Sequence, residues 1–181
     1  RSTSSGDSHK TALLEKVNVE LQSLKQNPSS ANNAITSFPP VCRRFLLSLP
    51  GNGHCIDCGE PHPRWASVSY GTLFCLNCSG MHRSLGVKNS FVKSVDMDSW
   101  SHEQILAMLE GGNTQLETFF QRHKLSCGGG DNIIMRYKTN AALFYRNHLA
   151  IHVKAVCSMT HYTGREASRK QNVRKKSAKN I

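Results

Sequence analysis

Residues 55–86 read Cys55-Ile-Asp-Cys58-Gly-Glu-Pro-His-Pro-Arg-Trp65-Ala-Ser-Val-Ser-Tyr70-Gly-Thr-Leu-Phe-Cys75-Leu-Asn-Cys78-Ser-Gly-Met-His-Arg83-Ser-Leu-Gly86. Two CxxC pairs are thus separated by sixteen residues. Two residues between thiolates let both sulfurs of a pair reach one ion at about 2.3 Å, and two such pairs complete a tetrahedron. The spacing predicts one Zn²⁺ held by Cys55, Cys58, Cys75 and Cys78. Four protein ligands leave no position for water or substrate, which makes the ion structural rather than catalytic. Disulfides fit less well, because the chain has seven cysteines, an odd number, and no signal peptide is visible. His54, His62 and His82 lie close by but the ligand set is complete without them, so they are read as surface groups or supports around the site. Cys42, Cys127 and Cys157 have no partner at metal spacing and are expected as small hydrophobes.

Around this centre the chain reads as a small α+β domain with more helix than strand. Residues 11–25 place Leu13, Leu14, Val17, Leu21 and Leu24 at helical spacing, a packing or partner helix. Residues 26–40 are rich in Pro, Ser and Asn and read as a linker, so residues 1–40 form a helix plus linker ahead of a domain spanning 41–156. A short helix over 41–49 stops at Pro50. Residues 65–75 predict two strands turning at Gly71, 76–86 a helix closed by Gly86, and 91–95 a third strand. Ser101 and Gln104 form a capping-box pattern opening a helix to Leu109. Further helices are expected over 115–123 and 134–156, joined by a flexible Gly128-Gly129-Gly130 connection. The sum is a short central sheet of about three strands surrounded by about five or six helices.

The 181 residues carry 23 Lys and Arg against 12 Asp and Glu, a formal charge of +11. A basic excess suits nucleic acid, an anionic membrane surface or an acidic partner. Most of it is local: residues 154–181 hold Lys154, Arg165, Arg169, Lys170, Arg174, Lys175, Lys176 and Lys179 against Glu166 alone. Residues 157–181 are therefore read as a solvated, disordered basic tail with weak attraction to anionic lipid. No run of 18 apolar residues offers a membrane-spanning helix, no secretory signal is visible, and the opening Arg1 is what a fragment would show.

The stretch Cys75 to Gly86, with Pro63-Arg-Trp65-Ala-Ser67, Tyr70-Gly71 and Ser94-Val-Asp-Met-Asp98-Ser-Trp100, resembles the ArfGAP family of GTPase-activating proteins for ADP-ribosylation-factor small GTPases. The pattern of two CxxC pairs followed by four residues and an arginine is matched at Cys55, Cys58, Cys75, Cys78 and Arg83. Gly111-Gly112-Asn113 and Tyr137 to Arg146 are similar to the family's later helices, so the resemblance covers roughly residues 41–150. The segment VKSVDMDSW resembles the Golgi coat-associated branch. This likeness implies a structural zinc, a GTP-bound ADP-ribosylation-factor-type partner, and Arg83 as an arginine finger supplied in trans. It also implies a cytoplasmic monomer peripheral to Golgi or other endomembranes, with coat proteins as further partners. Trp65, Asp98 and Trp100 are then partner contacts, or equally supports of the fold.

Two stretches depart from the family. Lys88-Asn89-Ser90 stands where His, an aliphatic residue and Ser are usual, which makes Lys88 and Asn89 candidates for partner choice. The glycine loop from Ser126 to Asp131 is altered, and residues 1–40 have no counterpart. Two other readings compete. A GATA-like nucleic-acid finger would use Leu76 to Leu85 to read bases, yet that helix lacks a row of Asn, Gln and Arg, so no nucleic acid is expected. A catalytically silent module would bind the GTPase without accelerating it.

Overall fold

Pro39 and Pro40 begin a helix that neither can cap with a side chain, and the donor groups left open are met from elsewhere in the chain. The carboxylate of Glu20 accepts from the backbone N–H groups of Val41 (3.3 Å) and Cys42 (2.7 Å). The computed structural model describes residues 4–26, 34–35, 37–125 and 133–170. Its elements are α1 (Ser4–Gln26), β1 (Ala34–Ile35), α2 (Pro40–Ser48), β2 (Trp65–Ser67), β3 (Thr72–Phe74), α3 (Leu76–Ser84), β4 (Val92–Ser94), β5 (Trp100–Ser101), α4 (His102–Glu110), α5 (Asn113–Arg122), α6 (Ile133–Tyr137) and α7 (Asn140–Cys157). A last helical stretch, α8, covers 165–170.

β2 is the centre of an antiparallel sheet of order β3-β2-β4, with Trp65 opposite Phe74 on one side and Ser94 on the other. β1 and β5 form a separate antiparallel pair over two residues. The β2–β3 hairpin turns at Gly71, whose φ is +63°. Its backbone is pressed against the end of α4: Gly112 N–H donates to Gly71 O at 2.7 Å, and a Cβ on Gly71 would lie 2.4 Å from Ala107 O and 2.8 Å from Gly111 Cα. Both the left-handed backbone and the close approach demand glycine. Gly71→Ala is expected to cost more than about 2 kcal/mol, read as a lowered urea midpoint at unchanged slope.

The capping box at Ser101 and Gln104 is formed as expected, and Gly86 takes φ +81° after α3. The single helix expected over 134–156 is instead two. Thr139 has extended backbone and its hydroxyl accepts from Ala142 N–H, so the chain stops after α6 and starts again as α7.

Both flanks of the expected 41–156 domain pack onto it. α1 buries Val17 and Leu21, and Asn18 exchanges hydrogen bonds with Tyr162, receiving from its N–H at 3.0 Å and donating to its carbonyl at 3.2 Å. Residues 157–170 were expected in a solvated tail, yet Tyr162 and Ser168 are buried. Arg165 donates to Gly111 O and Arg169 to Glu110 O (2.8 Å). The carbonyls at the end of α4 have no helical partners and are buried, so two of the tail's cations serve as a C-terminal cap. Glu110, fully buried, meets Ser168 Oγ at 2.9 Å and His152 Nε2 at 2.6 Å. Arg174, Lys175, Lys176, Lys179, Cys127, the glycine loop and most of the Pro/Ser/Asn-rich linker lie outside the described residues. Among the described residues no helix is long and apolar enough to cross a membrane.

Candidate functional site

Cys55 and Cys58 lie on the turn before the sheet, and Cys75 and Cys78 at the junction of β3 with α3. Cys75 is the N-cap of α3, its sulfur accepting from Cys78 N–H at 3.5 Å. The four sulfurs lie within 4.8 Å of one another, and Cys58 Sγ is 3.6 Å from Cys75 Sγ. A tetrahedron of metal–sulfur bonds of about 2.3 Å has edges of about 3.8 Å, so this donor set fits a tetrahedral, thiophilic ion. Burial pushes the Cys55 thiol up to about 11 and Cys78 far above its ordinary value. Burial also works on Cys75, but the Cys78 N–H and the neighbouring thiols outweigh it and hold Cys75 low. A dication bound there would supply the charge that keeps all four as thiolates. No histidine joins the cluster: His54 and His62 are exposed.

His82 is neither surface nor ligand. Its ring is fully buried, stacked on Phe74 at 4.2 Å, with Nε2 2.9 Å from Asp57 Oδ2 and Nδ1 2.8 Å from Ser90 Oγ. Ser90 Oγ is in turn 2.8 Å from Ser67 Oγ, so the network is satisfied when Nε2–H donates to Asp57 and Nδ1 accepts from Ser90. The other Asp57 oxygen accepts from Arg136 and, at 3.0 Å, from the Tyr137 hydroxyl. Burial alone would raise the Asp57 pKa. The His82 hydrogen bond, the Arg136 charge and the Tyr137 hydroxyl overcome it and hold the carboxyl below its usual value. Asp57 stands between the first two cysteines and His82 immediately before Arg83, so this network ties the metal turn, α6 and the arginine-bearing turn of α3 together. Asp57→Ala would take the buried carboxylate away from Arg136, His82 and the Tyr137 hydroxyl at once and is expected to cost about 3–5 kcal/mol in thermal or urea unfolding. Sequence reasoning missed the network. The one available signal was a carboxylate inside a CxxC pair.

Successive helical residues project about 100° apart, so burying His82 turns Arg83 outward. Arg83 is exposed, and its guanidinium carbon lies 4.5 Å from the centroid of the Trp65 ring. Trp65 is half-buried at the start of β2. Gly86 ends α3, and the loop that follows is anchored from α7, where Arg146 Nη1 donates to Lys88 O (2.6 Å) and Asn89 Oδ1 (2.8 Å). Asn89 also donates to Leu85 O at 2.8 Å, so its side chain is engaged with its own chain, whereas the Lys88 side chain is exposed. Asp98 accepts from Ser94 N–H at 2.5 Å and shapes the turn after β4.

Trp100 is not a surface contact. It is fully buried, edge-on to Phe38 at 4.8 Å, and donates from Nε1 to Ser94 O at 3.1 Å. Its indole N–H finds a partner inside, which lets the whole ring enter the core. Two apolar residues on the neighbouring elements are exposed: Leu76, 64% exposed and two helical turns before Arg83 on the same face of α3, and Met97, 73% exposed and three residues beyond the residue paired with Trp65.

Fold and site together define a small α+β module in which a four-cysteine cluster organises a helix that presents an arginine to solvent. The chain belongs to the ArfGap family: the model described as "Putative GTPase activating protein for Arf" matches residues 42–154. It is 45% identical over 105 residues to "ADP-ribosylation factor GTPase-activating protein 3" of Mus musculus, covering 58% of this chain and 20% of that protein. It is 45% identical over 89 residues to "ADP-ribosylation factor GTPase-activating protein GCS1" of Saccharomyces cerevisiae, covering 48% of this chain and 25% of that protein. The matched region thus spans only a fifth to a quarter of these two relatives. Among solved structures, a putative GTPase-activating protein for ADP ribosylation factor from Cryptosporidium parvum superposes with a TM-score of 0.55 at 29% identity, over 62% of this chain and 91% of that one.

Proposed function

We propose that this chain stimulates GTP hydrolysis by an ADP-ribosylation-factor-type small GTPase, inserting Arg83 into the partner's nucleotide site. The observation that carries this reading is the placement of Arg83: exposed, on a helix begun at two of the clustered cysteines, and backed by a buried network at the preceding residue. A small GTPase hydrolyses GTP slowly because charge developing on the γ-phosphoryl and bridging oxygen is incompletely stabilised, and a planar guanidinium meets that charge with two donors. The GTPase brings its own Mg²⁺ and water-orienting groups, so no general base is required here.

Zinc, when bound by the four cysteines, supplies a cross-link between the turn and α3 and leaves no open coordination position. The surface around Arg83 offers Trp65, Leu76, Met97 and Lys88 as contacts for the GTPase, while Asn89 and Asp98 shape the loops that hold them. By the likeness of its VKSVDMDSW segment, the chain acts as a monomer at Golgi or other endomembranes, beside coat proteins.

Single-turnover hydrolysis on a panel of GTP-loaded ADP-ribosylation-factor GTPases tests this. Acceleration of about 10³-fold or more on at least one of them is expected. Binding of the GTP-loaded form without acceleration would select the silent module, and neither effect on any member would end the reading.

A further inference from the structure

A row of rings crosses from α5 to α7 on the described surface. His123 lies 4.4 Å from Phe119, Phe119 stacks on Phe144 at 6.3 Å and 8°, and Phe144 lies 5.5 Å from His148. Ile151 follows one helical turn after His148. Phe144 is 59% exposed, Ile151 63% and Leu143 41%, so this end of the molecule shows solvent a contiguous apolar face. Its surroundings are basic: Arg122, Lys124, Lys138 and Lys154 are all exposed. The single acid between residues 118 and 165 is Asp131, outside the described residues. Glu117 precedes Phe119 by two positions and so projects about 200° away around α5.

We infer that this α5–α7 face docks on an anionic lipid bilayer. Leu143, Phe144 and Ile151 enter the boundary between headgroups and acyl chains, while Arg122, Lys124, Lys138 and Lys154 remain at the level of the phosphates. The sign of the charge selects the anionic surface. The aliphatic members favour lipid over single-stranded nucleic acid, which would use the rings for stacking but gain nothing from Leu143 or Ile151. The geometry is compatible with work at a membrane. Arg146 lies about 200° around α7 from Phe144 and about 140° from Ile151, with Leu143 at the margin of the face between them. The Lys88–Asn89 loop that it anchors, with Arg83 beyond, is therefore on the other side of the helix and stays clear of the bilayer. Arg165 and Arg169 are occupied in capping α4 and are not offered to a lipid surface, whereas the four cations of this face are exposed. The inference does not depend on GTPase activation.

Flotation of the full chain with phosphatidylcholine vesicles, with and without phosphatidylserine, tests it. Binding is expected only when phosphatidylserine is present. The double variant Phe144→Glu/Ile151→Glu should weaken it about tenfold or more, and Lys138→Glu/Lys154→Glu, which leaves the apolar face intact, by a similar factor. Val19→Glu, at an exposed apolar site on α1 (69% exposed), should float as the wild type does, and so should a chain lacking residues 171–181. Unaltered flotation of both double variants would overturn the proposal. So would loss of flotation on removing residues 171–181 alone, an equal loss for Val19→Glu, or tighter binding to a single-stranded RNA oligonucleotide than to the vesicles.

Discussion

Exchange of Arg83 for lysine is expected to lower the accelerated rate of GTP hydrolysis by about 10³-fold or more in single turnover, while binding of the GTP-loaded partner changes far less. An inserted arginine is worth about 10³ to 10⁵ in rate, or about 4 to 7 kcal/mol of barrier. Lysine keeps the charge but loses the planar fork that meets two oxygens at once. Arg83 rests over Trp65, its guanidinium carbon 4.5 Å from the ring centroid. An exposed cation–π contact is worth about 0.5–1 kcal/mol, small beside the barrier it is asked to lower, so Trp65 holds the side chain ready without trapping it. The variant is also a clean one. Arg83 is exposed, whereas the buried contacts that support the turn belong to His82, so folding should be untouched. An unchanged rate with lysine would remove Arg83 from the catalytic role and leave activation, if observed, to another group.

The second large effect is that of strong chelation, which should collapse the fold. Structural zinc contributes about 10–16 kcal/mol to the folding of zinc-finger peptides near neutral pH, and whole domains are stable by only about 5–15 kcal/mol. Without the ion, the buried thiols Cys55 and Cys78 revert to their protonated forms and lose the cross-link between the turn at 55–58 and α3. That turn also carries Asp57, so the counter-charge of buried Arg136 would be displaced with it. The chain has two tryptophans that report from different places, Trp65 on β2 and Trp100 in the core against Phe38. Near-UV circular dichroism from both should disappear on zinc removal, and Cys75→Ser should behave as the chelated protein does. Survival of the near-UV spectrum after complete removal of zinc would show that the cysteines do not hold a structural ion.

Features written in neighbouring residues were legible from the chain. The sixteen-residue gap between CxxC pairs predicted four converging sulfurs, Ser101 and Gln104 predicted a capped helix, Gly71 marked a turn between strands and Gly86 a left-handed helix end. Where local pattern was overruled, one residue was usually responsible. Thr139 split the helix expected over 134–156 by capping a new one, a short-range signal hidden in an otherwise helical run.

The partners of charged and aromatic side chains were not legible, because they are set by packing between segments far apart in the chain. Asp57 meets Arg136 across 79 positions and Asn18 meets Tyr162 across 144. His82 was open between a surface group and a support of the metal site, and Trp100 between a partner contact and a support of the fold; tertiary packing chose the support in both cases. Arg165 and Arg169 looked like solvated tail charges until the carbonyls ending α4 gave them a use. By itself, then, the sequence determined the thiol spacing, the capped start of α4 and the family, all encoded in local geometry and short motifs. Only the tertiary structure decided which side chains were buried, which flanks joined the domain, and that Arg83 projects from a turn braced by His82, because burial and charge pairing are properties of contacts that no single segment contains.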